Sequence, residues 1–297
     1  MRRATLVAVA LCVGVTSRSA RAQAAPPATD IFLAPLTITS GTITVGAPVN
    51  ITHRAGYDNQ PSFTPDGRAI LFTSIHDDGQ ADIYRYDLKS KAISRITTTP
   101  ESEYSPTVMP GGKRFSVIRV EHDSTQRLWS FAMNGSDPRL VLKTLKPVGY
   151  HAWIDADHVV SFVLGSRQSP NALVMSTVHD GHADTLARDI GRSLAPMGHG
   201  EFSFVQTGDS GSTLRAMSWP SRASRDLMTL PGKSQDIAWV ARDAVIAGDG
   251  TKLLTRRAGG GDWREIADLA APGLTAITRL AVSPDHRWLA IVAVPKN

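Results

Sequence analysis

The sequence predicts an all-β protein: a six-bladed β-propeller of four-stranded antiparallel blades, with the last blade closed by strands from the N-terminus. Three observations carry that prediction. A unit of about 45 residues recurs along the chain. Each unit holds short apolar runs separated by turn residues, the pattern of an antiparallel meander. The final unit is two strands short, and the N-terminus has two to spare. The composition, 42% hydrophobic and 20% charged over 297 residues, can fill a sizeable core.

Taken in order, the chain opens with Met1-Arg2-Arg3, an apolar run from Ala4 to Val15, and a polar stretch ending Ala20-Arg21-Ala22-Gln23-Ala24. The run is too short to span a bilayer as a helix. Small residues at Ala20 and Ala22, or at Ala22 and Ala24, suit signal peptidase, so residues 1–24 read as a secretory signal cleaved after Ala24. Residues 25–297 then form one propeller domain. Cys12 is the single cysteine. It lies in the apolar run behind Leu11, where a lipoprotein signal needs a small residue. The mature chain would have no thiol, which excludes disulfides and thiolate-built zinc sites. The net charge of +5 owes four arginines to residues 1–24, which hold no acid. The mature chain is nearly neutral and has no Lys/Arg run, so neither nucleic acid nor an anionic membrane is the expected partner.

The first unit shows the local chemistry. Ser62-Phe63-Thr64 is a strand stopped at Pro65, which cannot donate a ladder hydrogen bond. Pro65-Asp66-Gly67 is a turn. Ala69-Ile70-Leu71-Phe72 is apolar throughout, as a strand buried on both faces should be. Asp82-Ile83-Tyr84-Arg85-Tyr86 alternates like a half-buried strand. Ile93 to Thr97 is an outer strand guarded by Arg95. The second unit repeats it: Pro106, Pro110 and Trp129 stand where Pro61, Pro65 and Tyr84 stood, 45 residues earlier.

Later units decay. The third has Tyr150 to Trp153, His158 to Leu164, Leu173 to Val178 and Asp184 to Ala187. The fourth shows Glu201 to Gln206, Leu214 to Trp219 and Asp226 to Leu230. The fifth has Asp236 to Val240, Ala244 to Ala247, Lys252 to Arg256 and Trp263 to Ala267. The sixth begins at Thr278, recovers the turn as Ser283-Pro284-Asp285, and ends after Trp288 to Val294. Its missing strands are expected at Thr29 to Leu33, which matches Ala81 to Arg85, and at Asn50-Ile51-Thr52, which matches Arg95-Ile96-Thr97. Closure from both chain ends removes the exposed edges of an open array. The stretch Thr37 to Ala47 is expected as a long hairpin in that blade.

TPDGRAILFTS and ADIYRYDLKSKAISRIT in the first unit, MPGGKRFSVIRV in the second and SPDHRWLAIV in the sixth resemble the blade repeat of the TolB-like family. The resemblance implies a WD-like propeller in the periplasm or secreted. It covers the propeller alone, since TolB itself carries an α/β domain ahead of its blades. Its motif specifies a fold more than a function.

Chemistry-bearing signatures are sparse. No G-x-S-x-G is present, and Gly259-Gly260-Gly261 joins two strands, not a strand and a helix. Asp77 to Asp82 lacks the ligand spacing of a calcium loop. His76, His122, His179 and His182 fall in polar loops, with His179-Asp180-Gly181-His182 the densest group. His151 falls at the innermost strand of its blade, but its equivalents are Pro61, Pro106, Ser193, Ile237 and Leu280, so no second imidazole joins it there. No cofactor or metal is expected. The residues just before the innermost strands are expected to ring the channel mouth: Asp58, Asn59, Gln60, Glu103, Tyr104, Tyr150, His151, Arg192, Gln235, Asp236 and Arg279. Polar, mixed in charge and partly aromatic, they suit a funnel for a protein or peptide. The expectation is a monomeric, non-catalytic binding scaffold. The alternative is a carbohydrate- or ester-directed enzyme using His151 as base or metal ligand.

Overall fold

A computed structural model describes residues 26–295 apart from Asp77 and Lys233. The expected signal segment and Cys12 lie outside the described residues. Twenty-five strands form six sheets around a central channel. Blade 6 takes β1 (Asp30–Thr39), β2 (Thr42–Val45) and β3 (Val49–Asn50) from the N-terminus. Blade 1 is β4 (Tyr57–Phe63), β5 (Ala69–Ile75), β6 (Ala81–Asp87) and β7 (Ile93–Arg95). Blade 2 is β8 (Ser102–Val108), β9 (Arg114–Val120), β10 (Gln126–Ala132) and β11 (Arg139–Leu140). Blade 3 is β12 (Val148–Trp153), β13 (His158–Val163), β14 (Ala172–Thr177) and β15 (Ala183–Arg188). Blade 4 is β16 (Ile190–Gly198), β17 (Glu201–Gly208), β18 (Gly211–Ser218) and β19 (Ser224–Thr229). Blade 5 is β20 (Ile237–Ala241), β21 (Ala244–Asp249), β22 (Lys252–Arg257) and β23 (Gly260–Asp268). β24 (Leu274–Val282) and β25 (Trp288–Pro295) complete blade 6. Among the described residues no helix is long and apolar enough to cross a membrane.

The repeated motifs act as side-chain clamps. In the first β-turn, Thr64 Oγ1 donates to Asp66 Oδ1 at 2.6 Å and accepts from the Ala69 amide at 3.0 Å, while the Arg68 amide reaches Asp66 at 3.1 Å. Blade 6 repeats this set with Ser283, Asp285, Arg287 and Trp288. Blade 2 has no acid at this turn and uses Gly111 and Gly112, both at positive φ. A second clamp joins the outer two strands. Asp82 accepts from Arg95 at 2.5 Å and from Thr97 at 3.3 Å, and Thr97 Oγ1 takes the Ile83 amide. Asp30, Asn50, Thr52 and the Ile31 amide rebuild the same clamp in blade 6. This is why the N-terminal strands read like the third and fourth strands of blade 1.

Closure is complete in packing as well as in hydrogen bonding. β1 pairs with β25 from Asp30↔Ala293 to Pro35↔Trp288, and β3 pairs with β1 through Phe32↔Asn50 and Leu33↔Val49. Six apolar clusters fill the six seams between blades. The closing seam sets Ile31, Leu33, Ala290 and Val292 against Ile70, Phe72, Tyr84 and Tyr86. A fully buried side chain of the size of Phe72 contributes about 2–3 kcal/mol. The expected hairpin is formed by β1 and β2, from Leu36↔Val45 to Thr39↔Thr42. It is also a strap: Leu36 and Ile43 bury themselves in the blade 5–blade 6 cluster with Ile246, Leu253 and Leu274.

One strand was missing from the sequence reading. β16 (GRSLAPMG after Ile190) has neither alternation nor a β-branched run. Its place on the channel edge accommodates Pro196.

Candidate binding site at the central channel

The innermost strands do not enter the channel alike, because their irregularities differ between pairs of blades. In blades 1 and 2 a β-bulge sets two residues against one. Gln60 and Pro61 oppose Phe72, and Ser105 and Pro106 oppose Val117. Gln60 and Ser105 take positive φ, 57° and 54°, which is strained for a residue with a Cβ. In blade 4 three residues, Gly191-Arg192-Ser193, oppose Val205. In blade 6 Ala276-Ile277-Thr278 oppose Ala293. The larger bulges carry Arg192 and deliver Arg279 to the channel. Gly191 lets the bulge pack closely, since a Cβ there would press on Val205 and Gln235 at 3.1–3.2 Å.

A cavity of about 190 Å³ occupies the channel. The equivalence drawn from the repeat holds: His151, Pro61, Pro106, Ser193, Ile237 and Leu280, one from each blade, all line it. Of the expected rim residues Gln60, Tyr150, His151, Arg192, Asp236 and Arg279 line it too. Asp236 is the hub. Arg192 grips it side-on through Nε, at 3.1 and 2.9 Å, and through a terminal nitrogen that also reaches the Thr278 carbonyl. Arg279 touches Asp236 more loosely at 3.4 Å, donates to the Tyr150 hydroxyl at 2.8 Å, and lies 4.8 Å over the Tyr150 ring.

Five expected rim residues sit elsewhere. Asp58 has no exposure; Arg54 donates to it at 2.7 Å and burial raises its pKa. Asn59 donates to Thr29 at 3.2 Å and holds the chain's N-terminal lead-in. Glu103 is also fully buried, paired with Arg119 Nε at 3.1 Å and bonded by Thr99, and burial pushes its pKa up to about 7. Tyr104 packs on the blade 2–blade 3 cluster. The bulges begin just after these residues and turn Gln60 toward the channel instead. There Gln60 accepts from Thr73 at 2.7 Å and from the Ser105 amide at 2.8 Å, bracing blade 1 against blade 2. Gln235 lies on the neighbouring groove between blades 5 and 6.

Sequence reasoning missed Tyr57. Half-buried at the start of β4, it feels the charges of Arg279 and Arg192 and neighbours Tyr150 and Tyr104, and burial pushes its hydroxyl up to about 12. Its only signal was its place one residue before the expected rim.

His151 is a wall residue rather than a rim residue. Its Nε2 lies 2.6 Å from Ser116 Oγ, which also accepts from Trp153 Nε1 at 2.9 Å. Burial pushes its pKa down to about 3, so the ring is neutral at ordinary pH. The loop histidines sit against carboxylates: His179 lies 2.5 Å from Asp157 and 3.6 Å from Asp180, and His182 lies 3.2 Å from Asp184; His158, at the start of β13, pairs with Asp155 at 2.9 Å. His76 stacks on Tyr84 and His122 lies 3.6 Å from Glu101. Among the described residues, no group of three or more potential ligands is placed to hold a metal ion.

No family model matches the sequence. An uncharacterized protein of Agrobacterium fabrum, Atu1656, is 32% identical over 79 residues, which is 27% of this chain and 26% of that one. The chain thus spans about a quarter of that relative. Solved structures match across far more of the chain. The putative TolB of Agrobacterium tumefaciens superposes with a TM-score of 0.69 at 14% identity, over 90% of this chain and 99% of that one. TolB from Acinetobacter baumannii gives 0.57 at 12% identity, over 90% and 64%. An oligogalacturonate lyase in complex with manganese gives 0.54 at 14% identity, over 87% and 77%. At these identities the likeness is one of fold, and in fold the chain is a TolB-like six-bladed propeller.

Proposed function

We propose that the chain is an exported scaffold of the cell envelope, periplasmic or secreted, which binds a protein or peptide at the mouth of its channel. The observation that carries this is the convergence of Tyr150, Arg192, Asp236 and Arg279 around an open cavity. Aromatic and arginine side chains, held in place by their own network, are the groups that dominate protein hot spots. A further fold neighbour, from a nidogen/laminin complex, superposes with a TM-score of 0.60 at 14% identity and belongs to a protein–protein assembly. The enzymatic alternative rests on His151. A base held near pKa 3, with Nε2 engaged by Ser116, is far from the working range of a general base.

The test is recovery of partners from envelope extract by the immobilised mature chain and by a Tyr150→Ala/Arg279→Gln variant of matched thermal stability. The proposal expects the specific partners to be lost from the variant. Equal recovery by both chains removes the channel mouth from the binding surface.

A further inference from the structure

The channel's charges do not balance. Its lining carries two guanidiniums, Arg192 and Arg279, and one carboxylate, Asp236. His151 adds no charge, being neutral above about pH 3. Asp236 is largely consumed by Arg192, which holds it through two nitrogens. Arg279 is left with a long contact to Asp236 and one bond to Tyr150. A guanidinium carries more donors than these two bonds use, in a planar fork that fits a carboxylate. Arg279 is nonetheless held in place, its guanidinium carbon 4.8 Å from the Tyr150 ring centre and its side chain only 15% exposed. A half-buried cation with spare donors is positioned for an anion.

The rest of the cavity agrees. Its volume of about 190 Å³ holds about six waters' worth of space, enough for a chain end or one side chain but not for a strand. Ser105, which lines it, has a buried hydroxyl with no protein partner. The opposite wall, from Gln60 to Ser62 and from Ser105 to Thr107, carries no charge that would repel an anion.

We infer that the channel is a carboxylate receptor. The carboxylate of a partner peptide, at its C-terminus or on an Asp or Glu side chain, pairs with the Arg279 fork while Asp236 keeps Arg192 and Arg279 in register. This deepens the peptide-binding proposal and rests on it.

The test uses three small probes on the mature chain: N-acetyl-triglycine with a free carboxylate, its C-terminal amide, and an amide-capped N-acetyl-Gly-Asp-Gly. Arginine Nε–H signals are followed by NMR up to tens of millimolar probe. The first and third probes should shift the Arg279 signal saturably, and the amide should not; the stronger of the two identifies a chain end or a side chain as the source. Arg279→Gln should weaken carboxylate binding on the order of tenfold or more, with Arg279→Lys intermediate because it keeps charge without the fork. A shift by the amide equal to that by the carboxylates, or no shift by any probe, overturns the inference. If Arg279→Gln does not fold, the contrast between acid and amide on the unaltered chain still decides. Partner capture that depends on Tyr150 while every probe fails would retain the binding proposal and discard the carboxylate.

Discussion

The two sides of the channel are built from the same repeat and do different things. On the side of blades 1 and 2, the charged residues at the start of the inner strands are turned into the seams. Asp58 is locked by Arg54 and Glu103 by Arg119, and the channel wall that remains is neutral. On the side of blades 3 to 6, Tyr150, Arg192, Asp236 and Arg279 face the cavity. The difference is one of backbone. Two-residue bulges at Gln60-Pro61 and Ser105-Pro106 follow the buried acids, whereas three-residue bulges in blades 4 and 6 hold Arg192 and lead into Arg279. A repeat can therefore conserve its architecture while its bulges decide which blades hold the ring together and which meet a ligand.

That contrast can be broken or sharpened by substitution. The largest effect is expected at Glu103, whose folded pKa of about 7 stands above its ordinary value of 4.5. A raised carboxyl pKa favours the folded state while the group is protonated. The contribution is fully present below about pH 4.5 and is lost as pH rises through about 7. Glu103→Gln, which keeps an acceptor for Arg119, should therefore match the parent near pH 4. At pH 8 it should be more stable by up to about 3 kcal/mol, with channel binding unchanged. Denaturant unfolding at the two pH values checks this; equal stability at pH 8 would place Glu103 outside the buried framework.

A smaller loss is expected at the brace. Gln60→Ala removes the acceptor shared by Thr73 and the Ser105 amide and should cost about 2 kcal/mol. Gln60→Gly loses the same bonds but adopts the positive φ freely, so it should be less harmful than alanine by up to about 1 kcal/mol. Equal melting temperatures for the two variants would show that the bulge is not strained. The smallest stability effect, about 1 kcal/mol or less, is expected for Tyr150→Phe, which removes only the hydroxyl that Arg279 bonds. Its consequence should appear in partner affinity instead.

Much of the architecture was legible because its clamps are made of side chains with fixed spacing. Thr64-Pro65-Asp66 and Ser283-Pro284-Asp285 announce the same turn, and Asp82 with Thr97 announces the pairing that Asp30 and Thr52 repeat. β16 escaped because an edge strand that lines a channel needs neither alternation nor β-branched residues. The channel site was half legible. Counting from the repeat put His151, Arg192, Asp236 and Arg279 at the channel mouth, and all four line the cavity, His151 as part of its wall, but it could not register a bulge. One extra residue turns every side chain that precedes it to the other face, so Asp58 and Glu103 were expected at the channel mouth and Tyr57 was overlooked. The Gln60-Pro61 and Ser105-Pro106 pairs mark those bulges in sequence, yet proline alone does not reveal the positive φ of the residue before it.

The central claim is that a partner meets the charged side of the channel and not the neutral one. Hydrogen exchange of the chain, free and in complex with a partner captured from the envelope, tests it most directly. The account predicts slowed exchange at the channel ends of β12, β16, β20 and β24, with β4 and β8 little changed. Slowing confined to the outer strands β7, β11, β15, β19 and β23, with the channel strands unaffected, would contradict it.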